Sequence, residues 1–477
     1  MKSTLYATPN QLGSSIAEAD FQNFQAIFKG EIIIQGHEEY ESVRLLWNKM
    51  IDKRPAIIAR CSGVADVINA INFARDNNLQ VSVRGGGHNV AGNAAEDNAL
   101  MIDLSKMKAV NVNPQLKTCT VQGGATWRDV DHETQAFGLV CPGGVVSDTG
   151  VGGLTLGGGL SWIRRKVGMS IDNLIGAEIV LANGKFVHAS ATENKDLFWA
   201  LRGGGGNFGV VTSFEFKLLE LGPEVFFMAC MYPKKEADKV LKYWVDFTRK
   251  APNEVTSDCI FWAVPAHPNF PEELHHTPVV VLAGMYAGNP EKGAELMQPL
   301  REITTPILDM SNVYPYNGVQ QMFDPFLQKQ AFNSYWKCIY LDDLTDHLQL
   351  RVVKKGKEMP SPHTLISIRN LQGAISKVSP GATAFGDRSA RFLLSIDNMW
   401  KDSSEDKKNI QWTRDFFNEM AGFSKGKVYF NFNFDMEGPS DMMKDSFGAN
   451  YEKLGKIKGK YDPDNFFRLN ANVKPLK

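Results

Sequence analysis

The sequence predicts an α+β protein built from more than one packed unit, and three features predict it. After Pro55, strand and helix signals alternate and lead, by about residue 220, through a strand-rich stretch crowded with glycine. Between about 222 and 425 glycine thins out, and longer apolar strands alternate with amphipathic helices. The remaining tail returns to strand and helix signals. At 477 residues the chain exceeds the roughly 250–300 residues that one hydrophobic core serves.

Residues 1–50 read as an N-terminal arm with a helical patch. AIIAR (56–60) is a short β-branched run and predicts a strand. VADVINAINFARDNN (64–78) spaces its apolar residues by three and four, which predicts a helix, and LQVSVRGG (79–86) returns to a buried strand. MIDLS, CTVQGGA and IGAEIVLANGKFVHAS continue the strand pattern. In the middle segment EVFFMACMY (224–232) and PVVVLAGMYA (278–287) predict long strands, and KEADKVLKYWVDFTRK (235–250) a helix. KVYFNFNF (427–434) alternates like a strand, and NYEKLGKIKGKY (450–461) reads as a helix. There is no internal repeat and no low-complexity tract.

With 43% hydrophobic and 22% charged residues the composition excludes a disordered chain. Lys+Arg 52 against Asp+Glu 53 leaves a net charge of −1, which argues against nucleic acid or an anionic membrane as partner and for a small molecule. No run of about 18 apolar residues and no N-terminal apolar segment appears, so the chain reads as cytoplasmic and unanchored. The six cysteines (61, 119, 141, 230, 259, 338) contain no CxxC pair, so neither a metal site nor a disulfide framework is expected. Oligomeric state leaves no mark on the sequence.

Three glycine clusters stand out: Arg84-Gly85-Gly86-Gly87-His88-Asn89, Gly150-Val-Gly-Gly153 running on to Gly157-Gly158-Gly159, and Gly203 to Gly206 followed by Asn207-Phe208-Gly209. Glycine lets backbone N–H groups approach a phosphate closely. A single such loop is as well explained by a tight turn. Three of them, each read as following an apolar strand-like run, point to a large polyphosphate-bearing ligand. None closes a strand, opens a helix and precedes an acidic ribose-binder as GxGxxG requires, and none is a GxxxxGK[ST] loop. His88, a lone histidine, is either a hydrogen-bonded structural residue or a cofactor ligand; the small residues before it favour the second.

VRGGGHNVAG, GVGGLTLGGG, DLFWALRGGGGNFGVVTSF and YDPDNFFRLNANVKP, in this order and at these spacings, resemble the berberine bridge enzyme-like FAD-linked oxidases of the vanillyl-alcohol oxidase (PCMH-type) flavoprotein superfamily. The resemblance is close over 54–220 and 425–477 and loose between them. It implies a two-part FAD-binding domain, residues 1–221 (core about 50–221) completed by 426–477, with an inserted substrate domain, 222–425, built on an antiparallel sheet covered by helices.

It also implies site residues. His88 carries the flavin through the 8α-methyl group, within the Arg84, Gly85, Gly86, Gly87 and Asn89 loop. Gly144, Val145, Val146, Thr149, Gly150, Gly153, Leu154, Gly158 and Gly159 form a second cofactor loop. Val211 joins them from a neighbouring strand, and Asn470 and Asn472 from the tail, where the ordinary alternative is turn chemistry before Pro475. Relatives' second flavin-linking cysteine, in a Cys-Pro-x-Val-Gly-x-Gly-Gly block, aligns with Val146. Cys141, followed by Pro142, is expected to be a buried thiol, so one tether is expected rather than two. Trp199 and Phe208 are expected in the core. A family Tyr-x-Asn-Tyr motif reads Tyr429-Phe-Asn431-Phe432 here. Tyr429 is a candidate base, provided its pKa is lowered, or else an interface tyrosine. Asn431 is a candidate for orienting flavin or substrate, and Asp387, followed by arginine, is either a base or a loop ion pair. No metal is implied.

The resulting expectation is an FAD-dependent oxidase that moves a hydride from an alcohol to the flavin and its electrons to O2, giving H2O2. A dehydrogenase or tailoring enzyme of secondary metabolism is the alternative, and a non-catalytic flavin- or ligand-binding protein is a rival of another class. Sugars, aromatic alcohols and polyketide- or alkaloid-like metabolites all remain open as substrates.

Overall fold

The computed structural model describes residues 16–424, 427–435 and 441–477. The first fifteen residues of the expected arm and the expected junction at 425–426 lie outside the described residues. The chain opens with β1 (Glu31–Ile34), β2 (Ile57–Arg60), β3 (Val81–Arg84) and β4 (Leu100–Asp103), which form a four-stranded sheet in the order β1-β2-β4-β3. Strands β2 and β3 both run parallel to β4, and helix Val64–Asp76 makes the crossover between them. Its buried residues Val67, Ala70, Ile71 and Ala74 recur at three and four, as the periodicity predicts.

Next come β5 (Val110–Asn113), β6 (Thr118–Gln122), β7 (Leu139–Val140), β8 (Leu174–Val180), β9 (Phe186–Ser190), β10 (Val210–Lys217) and β11 (Leu219–Glu220). Five of them form an antiparallel sheet, β5-β6-β10-β8-β9, while β7 pairs with β11. Glycine cluster two spans helix Val151–Gly157, with Gly150 as its N-cap and Gly158 as its C-cap, and cluster three follows helix Lys195–Leu201 rather than the strand-like run expected for it. DLFWALR is apolar because both its neighbours are core, not because it is a strand: Leu197, Phe198, Trp199, Ala200 and Leu201 are all buried. Trp199 and Phe208 lie in this core.

The middle of the chain supplies β12 (Glu224–Pro233), β13 (Val255–Ala263), β14 (Pro278–Tyr286), β15 (Leu308–Asp309), β16 (Asn312–Pro315), β17 (Asn333–Leu341), β18 (Leu365–Asn370) and β19 (Phe392–Trp400). They form one antiparallel eight-stranded sheet. Alternation sorts its side chains. Cys259, Phe261, Ile366, Ile368, Leu394 and Ile396 join one core with helices Ala237–Thr248, Asp346–Lys357 and Asp406–Ala421. Trp244, wholly buried there, is a residue whose truncation to alanine costs about 3–5 kcal/mol. The opposite face, with Asp258, Ile260, Ser367, Arg369 and Asp397, turns toward the glycine loops.

The tail corrects one expectation. KVYFNFNF is not a strand: a 3-10 turn at Phe430–Phe432 interrupts it. The segment touches β17 through Tyr340 N–H to Lys427 O (3.1 Å) and Phe434 N–H to Trp336 O (2.9 Å). Between those points the Asn433 side chain, not the backbone, accepts from Cys338 N–H (3.0 Å), so the ladder a strand needs never forms. Helix Asn450–Tyr461 forms as read and carries the chain back to the third glycine cluster. There the buried Lys458 Nζ donates to Asn207 O (2.7 Å), Asp462 Oδ2 (2.5 Å) and Phe467 O (2.9 Å).

Candidate active site

Between the glycine loops and the eight-stranded sheet lies a cavity of about 540 Å³, within the range of cofactor and ligand sites. Its first wall is mostly backbone. Gly85, Gly86, Gly87, His88 and Asn89 line it from the loop after β3, with Gly144, Val145, Val146, Thr149, Gly150, Gly153 and Leu154 from the second loop. Gly203 to Gly206 and Asn470 complete it. The first two loops touch: a Cβ on Gly86 would lie 2.5 Å from Gly150 N, so neither position tolerates a side chain. Gly153 and Gly206 differ, since a Cβ there meets nothing within 4 Å and would project into open space.

His88 is held from two sides. Its ring stacks on Trp47 (centroids 5.0 Å apart, planes 24° apart), and its Nε2 lies 3.1 Å from Asp148 Oδ1. Trp47 in turn meets Trp336 of β17 edge-on at 5.3 Å and donates from Nε1 to Leu327 O (2.7 Å). Asn48 ties the same region to the sheet, donating to Val90 O and Ser334 O (2.8 Å each) and accepting from Ser334 N–H (3.0 Å). The arm reading of residues 1–50 missed both; two polar-capable residues in an apolar LLWN run were the available signal.

The second wall is side chain. Asp258 on β13 sits opposite Arg369 on β18 in register, and Asp397 on β19 sits opposite Leu365 and Trp336. Arg369 lies 3.8 Å from Asp258 and 3.7 Å from Asp397, with its guanidinium 4.7 Å from the centre of the Phe432 ring. Asp258 is also paired with the buried Arg164, and Asp397 accepts from Ser395. Burial raises the Asp397 carboxyl above its ordinary range against the pull of Arg369. Sequence reading passed over these three residues. Their signal was a charge interrupting an apolar strand, in SDCIFWA, LISIRN and LLSIDNMW, where an ionisable group is expensive unless it has work to do.

The expected catalytic residues divide. Tyr429 and Asn431 line the cavity. The Tyr429 hydroxyl accepts from Gly159 N–H (2.8 Å) and Asn431 Nδ2 (2.9 Å), and burial pushes its pKa up to about 12, opposite to what a base requires. Asn431 also donates to Leu154 O (3.0 Å). Asp387 is not on the cavity wall: burial would raise its carboxyl, but hydrogen bonds from Lys427 and Ser389 hold it low. It is the loop ion pair of the two readings.

Several residues expected at the cofactor stand off the wall, for structural reasons. Arg84 turns from the cavity into a two-point pair with Asp103 and a bond to Val43 O. Gly158 and Gly159 pack against Phe385, Tyr429 and Ser170. Val211 is buried mid-strand opposite Ile179. Asn472 lies beyond the lining, but its Oδ1, like that of Asn470, is buried without a partner among the described residues. Cys141 is wholly buried in the core with Cys119 and Trp127, away from the wall, and burial raises its thiol far above the ordinary value. Among the described residues no cluster of potential ligands could hold a metal ion, and no helix is long and apolar enough to cross a membrane.

A glycine-rich cradle facing a sheet that carries three charged residues makes a cavity suited to a large bound ligand or cofactor. Residues 55–190 match the FAD binding domain family, and 428–474 the berberine and berberine-like family. An FAD-linked oxidoreductase of Dictyostelium discoideum is 30% identical over 467 residues, 94% of this chain and 95% of that protein. Among solved structures, 6-hydroxy-D-nicotine oxidase from Arthrobacter nicotinovorans superposes with a TM-score of 0.83 at 25% identity, covering 94% and 98% of the two chains. Glucooligosaccharide oxidase from Acremonium strictum, described with a 6-S-cysteinyl, 8α-N1-histidyl FAD, gives 0.83 at 25%, covering 96% and 99%. The chain belongs to the berberine bridge enzyme-like FAD-linked oxidoreductases, and FAD is its cofactor. It is therefore an enzyme, and the reading as a non-catalytic flavin carrier falls. The residues present fit FAD: the glycine cradle leaves room at Gly153 and Gly206, and Asn470, on the cavity wall, has a buried amide oxygen with no partner among the described residues.

Proposed function

We propose that this enzyme is an oxidase that takes a hydride from a carbinol carbon of a small-molecule alcohol and delivers the electrons, through FAD tethered to His88, to O2 as H2O2. The observation that supports it is the meeting in one cavity of His88 and the glycine cradle with Asp397, Arg369 and Tyr429. When bound, FAD supplies hydride acceptance and electron transfer to O2. The chain's residues do the rest. Residues 1–221 and 426–477 hold the cofactor, and the 222–425 sheet presents the substrate. Asp397 takes the alcohol proton, its raised pKa making it a stronger acceptor, while Arg369 at 3.7 Å steadies its ionised form. Tyr429 keeps its proton at neutral pH; with two donors already at its oxygen, it serves as a hydrogen-bond donor to substrate or flavin. Trp162, Trp336 and Phe432 give the cavity flat apolar surface beside these charges, which suits a sugar ring or an aromatic alcohol.

Two of the relatives, a nicotine oxidase and a glucooligosaccharide oxidase, bear the name oxidase. The test is a panel of sugars, aromatic alcohols and amines assayed for peroxide, followed by anaerobic mixing with the best of them. The yellow colour should bleach, and air should restore it. Bleaching without recovery in air would make the enzyme a dehydrogenase or tailoring enzyme instead.

A further inference from the structure

We infer that Asp148 is the positioning residue that arms His88 for covalent attachment of the flavin. The inference rests on the reading that His88 is the tether. An ionised carboxylate only accepts hydrogen bonds, so the 3.1 Å contact to Asp148 Oδ1 puts the imidazole proton on Nε2. The lone pair of the neutral ring is then on Nδ1, which has no hydrogen-bond partner among the described residues on a ring that lines the cavity. Stacking on Trp47 holds the ring plane while Asp148 fixes its edge. A nucleophile oriented by one group and fixed in tautomer by another is the general design of an activated histidine.

The placement of Asp148 is itself constructed. Its neighbour Ser147 is pinned on the far side, where its N–H donates to Asp324 Oδ1 (3.0 Å), its hydroxyl donates to Asp324 Oδ2 (2.6 Å) and its carbonyl accepts from Arg128 N–H (2.7 Å). On the other side Thr149 O accepts from Trp127 N–H (3.1 Å). Residue 148 is thus held between two anchored residues and aimed at His88. Val146, the position of the linking cysteine in relatives with two tethers, belongs to the same loop, so here the loop supplies a carboxylate to the first tether instead of a thiolate for a second.

Nδ1 uses its lone pair to form the bond to the 8α carbon, one 8α C–H bond breaks, and its proton and electron pair pass into the flavin ring system. The histidine becomes an imidazolium that retains Nε2–H, and the flavin becomes its reduced anion. O2 then removes the two electrons with the ring proton and one from solvent, leaving as H2O2 and restoring oxidised flavin. Asp148 contributes twice: it selects the tautomer before the step and faces the positive charge after it.

The experiment compares as-purified wild type, Asp148→Asn and Asp148→Ala for total flavin by absorbance and covalent flavin by fluorescence after acid denaturation, with His88→Ala as the zero. The Ala variant should retain total flavin while its covalent fraction falls by about 10-fold or more. The Asn variant, which offers an uncharged acceptor of the same shape, should fall between. A role limited to holding the loop would lower total flavin and covalent flavin together. Should the Ala variant fail to fold, the near-isosteric Asn variant carries the test. A wild-type covalent fraction in both variants overturns the role of Asp148 alone. Wild type lacking covalent flavin ends both this inference and the tether on which it rests.

Discussion

On the cofactor side the cavity is lined by main chain, at Gly85 to Gly87, Gly150, Gly153 and Gly203 to Gly206, whereas on the sheet side it is lined by side chains standing on β13, β18 and β19. The first wall works largely through its glycines, whose missing side chains let backbone donors come close to a bound anion. The second works by having particular ones, Asp258, Arg369 and Asp397, in an otherwise apolar sheet. Adding atoms should therefore damage the first wall, and removing charge should damage the second.

The largest expected effect follows on the sheet side. Asp397→Asn preserves shape but cannot take a proton, and kcat should drop by about 10²–10⁴-fold while flavin content and spectrum stay as in wild type. Steady-state kinetics on the best substrate of the panel checks it; a variant within threefold (an order-of-magnitude allowance) would assign the base elsewhere.

A second effect comes from the joint between the two regions. Asp131, on the helix Trp127–Gln135, is wholly buried, and burial raises its pKa to about 7, with Gln320 Nε2 donating to it at 3.1 Å. The folded state keeps a proton that the unfolded chain, with a carboxyl pKa near 3.9, gives up. Stability is therefore full below about pH 4 for this group and is lost as pH rises through about 7, by on the order of 4 kcal/mol. Asp131→Asn cannot ionise and should flatten that slope. Urea melts at pH 5 and pH 8 give the comparison, and parallel pH trends in the two proteins would refute it.

The contrast between the walls also explains what could be read in advance. The glycine clusters are contiguous, so a local pattern exposed them, along with His88 and the helix Asn450–Tyr461 that stitches the tail to the third cluster. Asp258, Arg369 and Asp397 lie more than a hundred residues apart in sequence at the extremes, and only the register of three antiparallel strands brings them together. No single-segment pattern encodes that register. The tail segment 427–434 misled because its period of two is real, but a 3-10 turn and the Asn433 side chain take the place of a ladder. Arg84 misled in the other direction: it sits within the glycine motif, yet Asp103 holds it away from the cavity.

Gly153→Leu and Gly206→Leu sharpen the comparison from the cofactor side. Each side chain would enter open space in the cradle, so flavin affinity should weaken at least about 10-fold, or about 1.4 kcal/mol, with the protein fold intact by circular dichroism. Normal flavin content in both would move the cofactor off this wall. The smallest expected effect on turnover is that of Tyr429→Phe. It leaves the buried Gly159 N–H without its acceptor, costing about 1–3 kcal/mol of stability, while the pH profile of kcat keeps its shape. Loss of the rise in kcat with pH, the limb on which a base must shed its proton, would return the tyrosine to the role of base.

The most direct test of the whole account is to digest the acid-denatured holoenzyme and locate the flavin by mass spectrometry. One flavin-bearing peptide is expected, the one containing His88, with Cys141 unmodified. Flavin on Cys141, or flavin released entirely from the chain, would contradict it.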